Sequence, residues 1–151
     1  MRTPNLNKTM TREKLKNYRH LIKEIAKIEK DIDRLLRRQE KIPDVKDKVQ
    51  KSMDEYPYTL THITVDAKDP LRNDTIERLL KKKRARLLKI QHQRLEIEDF
   101  IASIEDSRAR QIIEDVYIEG KSQQQVAEEM SMEQSSISKI ISRALQDSYN
   151  S

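Results

Sequence analysis

The 151-residue chain has no cysteine and no tryptophan, one glycine and one phenylalanine. Without cysteine it has neither disulfides nor thiolate metal sites, which suits a reducing cytosol. A compact α/β enzyme ordinarily carries more glycine for its turns and more aromatics for its core. No apolar run approaches the roughly 18 residues of a membrane span and no signal peptide is visible. A soluble, cytoplasmic protein without a membrane partner is therefore expected. Catalytic signatures are missing too: there is no glycine-rich phosphate loop and no nucleophile elbow, and His20, His62 and His92 lack ligand spacing. The sequence predicts no enzyme activity, no metal and no cofactor.

What is present is charge on a helical repeat. Asp, Glu, Lys and Arg make up 38% of the chain and apolar residues 35%. The net charge of +5 permits nucleic acid as a partner. It is unevenly spread. Residues 1–42 carry 13 Lys and Arg against 6 Asp and Glu, whereas residues 106–151 carry 5 against 8.

Residues 11–42 read as one long helix, with Leu15, Tyr18, Ile22, Ile25, Ile32 and Leu36 alternating by three and four. Glu29 fills the missing seam position and Ile28 stands beside it; Pro43 ends the helix. A second long helix is predicted over 74–105. Asp74 and Glu77 give it a capping-box spacing, and its seam runs through 76, 80, 83, 87, 90, 94, 97, 101 and 104. Lys83 and Arg94 interrupt that seam. They either fix the register or, as their long stems favour, snorkel out. The seam needs a partner, which is the first helix folded back or a second chain in a homodimer. The connection 43–73 contains three prolines, and YTLTHITV (58–65) is either a short strand or an extended loop.

The C-terminal part is more specific. SRARQIIEDVYIE (107–119) puts Ile112, Ile113, Val116 and Tyr117 on one helical face, and Gly120 follows as an αL cap. Ser122 with Gln125, and Ser131 with Gln134, repeat the capping-box spacing and open two further helices. Counted from Gln123, Val126, Ala127, Met130, Met132, Ile137 and Ile140 occupy the apolar and small slots of a helix-turn-helix, with Ser131 at the turn. Ala127 is small where the two helices cross most closely. Ile137, Ile140, Ile141 and Ala144 then face inward.

The opposite face presents Gln134, Ser135, Ser138, Lys139, Ser142 and Arg143. A helix fits the major groove, where Gln134 suits adenine and Lys139 suits guanine, with the serines short enough to let it lie deep. Lys121 and Ser122, at the start of the preceding helix, are candidates for a phosphate contact. A second candidate is the run 81–94, where Lys81, Lys82, Lys83, Arg84, Arg86 and Lys89 form either a phosphate stripe or a solvated coiled-coil face.

The segment RQIIEDVYIEGKSQQQVAEEMSMEQSSISKIISRAL (110–145) resembles the fourth conserved region of bacterial primary sigma factors. Two departures stand out: Ser107 replaces a usual proline, and Glu133, Gln134, Ser135 and Ser136 open a helix that in sigma factors is rich in arginine. With its basic helical N-terminal part, the whole chain resembles the small phage and prophage transcriptional regulators of the ArpU and RinA type. The resemblance implies a regulator of phage late genes that binds double-stranded DNA and contacts RNA polymerase.

The expected architecture is all-α, a long-helix antiparallel coiled-coil hairpin followed by a small helix-turn-helix domain. Residues 1–10 form a flexible terminus, 11–105 the hairpin and 106–151 the domain. Whether the helix runs continuously through 105–107 is left open by the sequence. Two alternatives use the same parts: a small terminase subunit, which assembles as a ring, and a coiled-coil adaptor that does not bind DNA.

Overall fold

The computed structural model describes residues 9–42 and 69–150, and every element in them is helical. In chain order these are α1 (Arg12–Glu40), α2 (Pro70–Ser103), α3 (Ser107–Ile113), a π-helical turn (Glu114–Ile118), α4 (Gln123–Glu129) and α5 (Gln134–Asn150). The segment 58–65 lies outside the described residues. Between residues 26 and 88 the two long helices pair antiparallel, since Asp31 meets Lys83 and Gln39 meets Asn73.

α1 starts where Thr11 accepts the Lys14 amide through its hydroxyl, at 3.2 Å, and the Leu15 amide through its carbonyl, at 3.1 Å. Its buried stripe is Leu15, Tyr18, Leu21, Ile25, Ile28 and Leu35. This corrects the expected seam at Ile22 and Leu36: Leu21 is buried in place of Ile22, and Leu35 in place of Leu36, which is left 36% exposed. Between them Ile28, beside Glu29, takes the seam position. The inward register that spares a carboxylate from burial wins, because an unpaired charge in the seam costs far more than a shift of one residue.

α2 begins four residues earlier than the Asp74 spacing suggests. Pro70 is its first residue, where the missing N–H is one of the unpaired donors anyway and the fixed φ suits a helix. The Asn73 amide bonds the Asp69 carbonyl at 2.9 Å, so Asp74 lies inside the first turns and caps nothing. Ile76, Leu80, Ile90, Ile97 and Ile101 are buried along the expected seam. Lys83 reaches Asp31 of α1 at 3.1 Å, so this seam lysine makes a pairing contact between the helices.

Contacts divide the chain into two compact units, Met1–Ile25 with Lys89–Ser151, and Ala26–Leu88. Both long helices contribute to both. The Ala26–Leu88 unit closes on Leu35, Ile42, Ile76 and Leu80, with Ile32 packed against them. Gln39 bonds Asn73 and Glu77 across the helix pair. In the other unit, Leu15, Ile112, Ile113, Val126, Ile137 and Ile141 are fully enclosed. Met10, within the expected flexible terminus, is buried as well. This unit brings the first turns of α1 together with the C-terminal helices.

The helix does not continue through 105–107. α2 ends at Ser103, Asp106 caps α3 by accepting the Arg108 amide at 3.0 Å, and Arg110 donates to the Ile104 carbonyl at 2.8 Å. Those bonds satisfy backbone groups that a break would otherwise leave bare.

Candidate nucleic-acid interface

The helix-turn-helix is built from local signals. After α3 the chain widens into a π-helical turn, in which the Glu119 amide reaches back five residues to Glu114 at 3.0 Å. Gly120 then adopts φ 78 and turns the chain out. Arg19 of α1 fills the space where a Cβ on Gly120 would sit, and donates to the Glu119 carbonyl at 3.2 Å. Burial pushes the Tyr117 hydroxyl above the usual tyrosine range. Ser122 caps α4 by accepting the Gln125 amide at 3.1 Å. Gln125 does not return the bond; its side chain reaches Glu129 instead.

α4 ends in a Schellman arrangement. The Met132 amide bonds the Ala127 carbonyl at 2.8 Å, the Ser131 amide bonds Glu128 at 3.3 Å, and Ser131 is left-handed at φ 55. Ser131 therefore makes the turn and does not cap the next helix, which corrects its expected pairing with Gln134. α5 opens from Glu133, whose carbonyl takes the Ile137 amide at 3.2 Å. Val126 and Ala127 of α4 are buried, as are Ile137, Ile141 and Leu145 of α5. Ile140 and Ala144 are only half-buried at the flank of that stripe.

The outward side of α5 carries the predicted residues. Gln134, Ser135, Lys139, Ser142 and Arg143 are exposed and Ser138 is half-buried. One neighbour was not legible in the sequence. Nη2 of Arg12, in the first turn of α1, donates to Ser142 Oγ at 2.6 Å, Ser138 O at 3.0 Å and Ser138 Oγ at 3.3 Å. These partners lie 126 and 130 residues away in sequence, and no local pattern at Arg12 points to them.

Other candidates are already engaged within the protein. Lys121 bonds Glu129 at 3.0 Å and lies 3.9 Å from Asp115. Glu129 above all, then Asp115, holds the Lys121 ammonium above the usual lysine range. The Ser122 hydroxyl is occupied by its cap. On α2, Lys81, Lys82, Arg84, Arg86 and Lys89 are exposed, whereas Lys83 is paired with Asp31 and holds that carboxyl below its usual range. Lys81 to Arg86 belong to the Ala26–Leu88 unit and Lys89 to the other.

Residues 106–147 match the family model Sigma-70, region 4. This segment is similar to the sigma region 4 type of helix-turn-helix domain, with α4 and α5 in the places of its two motif helices. The match covers none of the helical arm. No curated protein and no solved structure matches the chain. Among the described residues, no helix is long and apolar enough to cross a membrane.

Proposed function

We propose that the protein is a DNA-binding transcriptional regulator whose α5 enters the major groove. One observation carries the reading. α5 buries Ile137, Ile141 and Leu145 against its own domain and leaves Gln134, Ser135, Lys139, Ser142 and Arg143 open on the other side. That is the disposition a recognition helix needs, with the polar edge free to hydrogen-bond base edges. The region 4 match to residues 106–147 supports it.

The finer reading is a regulator of phage or prophage late genes that contacts RNA polymerase. It rests on the resemblance of the whole architecture, a basic helical arm joined to a region 4 domain, to the ArpU and RinA type. In this reading the protein works in the cytoplasm by binding and is not an enzyme, since its histidines are scattered and its acids alternate with Lys and Arg along helices.

The test is selection of duplexes from a random-sequence pool by the full chain. An enriched motif is expected. Lys139→Ala or Gln134→Ala should change its composition, while Lys81→Ala with Lys82→Ala should weaken all duplexes alike. Unaltered site preference in both α5 variants would overturn the recognition-helix assignment. A mass measurement separates the packaging alternative: a monomer or dimer fits a regulator, a ring of eight or so subunits fits a terminase.

A further inference from the structure

The helix-turn-helix domain is short of positive charge for its proposed task. Residues 106–151 carry 5 Lys and Arg against 8 Asp and Glu. Lys121 is neutralised by Glu129 and Asp115, and Arg110 is turned onto the Ile104 carbonyl. Phosphate neutralisation supplies much of the affinity of any DNA-binding protein, so a face of serines with Lys139 and Arg143 alone would bind weakly.

Arg12 stands at the edge of that face. Its Nη2 is held by the two serine hydroxyls and the Ser138 carbonyl, all neutral acceptors. No described carboxylate forms an ion pair with it, and its Nε and Nη1 make no hydrogen bond to described residues. A guanidinium has five N–H donors in a fixed fork, so its charge and most of its donors are unspent. The side chain is also firmly based. Thr11 caps the turn that carries it, and Leu15, one turn further on, is wholly buried.

We infer that Arg12 completes the DNA-binding face, its Nη2 anchored on Ser138 and Ser142 and its free donors presented to a backbone phosphate at the rim of the groove that α5 enters. The inference rests on the DNA-binding reading above. It explains how a recognition helix without an arginine-rich start acquires a guanidinium: the long arm brings one from the far end of the chain. Ser138 and Ser142 are then positioning residues for Arg12.

The test compares full-length wild type, Arg12→Ala and Arg12→Gln by fluorescence anisotropy. The probes are a random-sequence duplex pool and a duplex that wild type enriches from it, between about 50 and 200 mM salt. Arg12→Gln keeps a donor for the serines without the charge, so it carries the test if Arg12→Ala fails to fold. Both variants are expected to bind both probes about five- to tenfold more weakly, and to lower the slope of log affinity against log salt by about 0.9. Ser142→Ala should lower affinity while leaving the slope near wild type. Tighter binding by folded Arg12 variants would overturn the inference and show that the arginine shields the face. Unchanged affinity and slope would overturn it too, leaving an internal strut. If wild type itself binds neither probe, the DNA-binding reading fails and takes this inference with it, an outcome distinct from an effect confined to the variants.

Discussion

The Tyr18 hydroxyl donates a 2.7 Å hydrogen bond to Glu98 Oε1, the same oxygen that accepts from Arg94 Nε at 2.9 Å. One carboxylate thus joins α1 to α2 and gathers in Arg94, the second polar residue of the α2 seam. Arg94 first, then Tyr18, holds the Glu98 carboxyl below the usual range. Desolvation and then Glu98 push the Tyr18 hydroxyl up.

A pH dependence follows from Glu98. Its folded pKa lies below the ordinary value of 4.5, so its stabilisation is present above that value and is lost as pH falls through the folded pKa. Urea midpoints measured from about pH 6 to pH 3 should fall in wild type. Asp31 and Glu129, also held low, add to that fall. Glu98→Gln should therefore flatten the curve only in part. The difference should stay under about 1 kcal/mol, because the carboxylate is 37% exposed and solvent screens it. A Glu98→Gln curve parallel to wild type would show that the pair contributes nothing to folding.

Ser131 and Gly120, both left-handed, predict opposite signs. Ser131 holds φ 55 with a Cβ that disfavours it, so Ser131→Gly should raise stability by about 0.5–1 kcal/mol in urea unfolding. Gly120 holds φ 78, and Gly120→Ala should cost about 1–2 kcal/mol. The alanine also displaces the Arg19 guanidinium from the Glu119 carbonyl. Equal effects at both positions would contradict these backbone conformations.

Ala127 is buried where α4 turns towards α5, and its carbonyl takes the Met132 amide. Ala127→Leu should force the two helices apart and cost about 1–3 kcal/mol, read as a lower thermal midpoint. Ile141→Ala removes a fully enclosed side chain and should cost about 2–5 kcal/mol. If Ala127→Leu leaves the midpoint unchanged, the close crossing assigned to this position is wrong.

These positions show why one part of the protein reads easily from sequence and another does not. Ala127, Ile137, Ser122 and Gly120 act within a few residues of themselves, through spacing, capping and a positive φ, so their roles are written locally. The seam register was blurred where Ile28 and Glu29 compete, because periodicity alone does not weigh the cost of burying a charge. Pro70 falls in the expected connection 43–73, because a proline at the first helical position and one in a loop look alike until the helix is known. The Arg12 contact spans 126 residues to a serine, and serine has no spacing preference that would announce an arginine partner. Charge counting gives residues 106–151 a net negative balance, 5 Lys and Arg against 8 Asp and Glu, and does not say which basic residue of α1 stands beside α5.

The position of Lys121 sharpens the division between structural and DNA-facing cations. It lies beside the start of α4, where the sequence makes it a candidate for a phosphate contact, yet its ammonium sits between Glu129 and Asp115. A lysine already paired has little charge left to release counterions from DNA. Lys121→Ala should therefore leave the salt slope of duplex binding near wild type, whereas Lys139→Ala, whose side chain is exposed, should lower it by about 0.9. Both are read in one anisotropy series with the enriched duplex. Equal losses in the two variants would mean that Lys121 leaves its carboxylates for a phosphate when DNA arrives. Glu129→Gln, which frees the lysine from its closer partner, would then bind DNA more tightly than wild type. With Lys121 committed to the fold, Glu129→Gln should gain affinity only through the one negative charge removed, and equally for every duplex sequence.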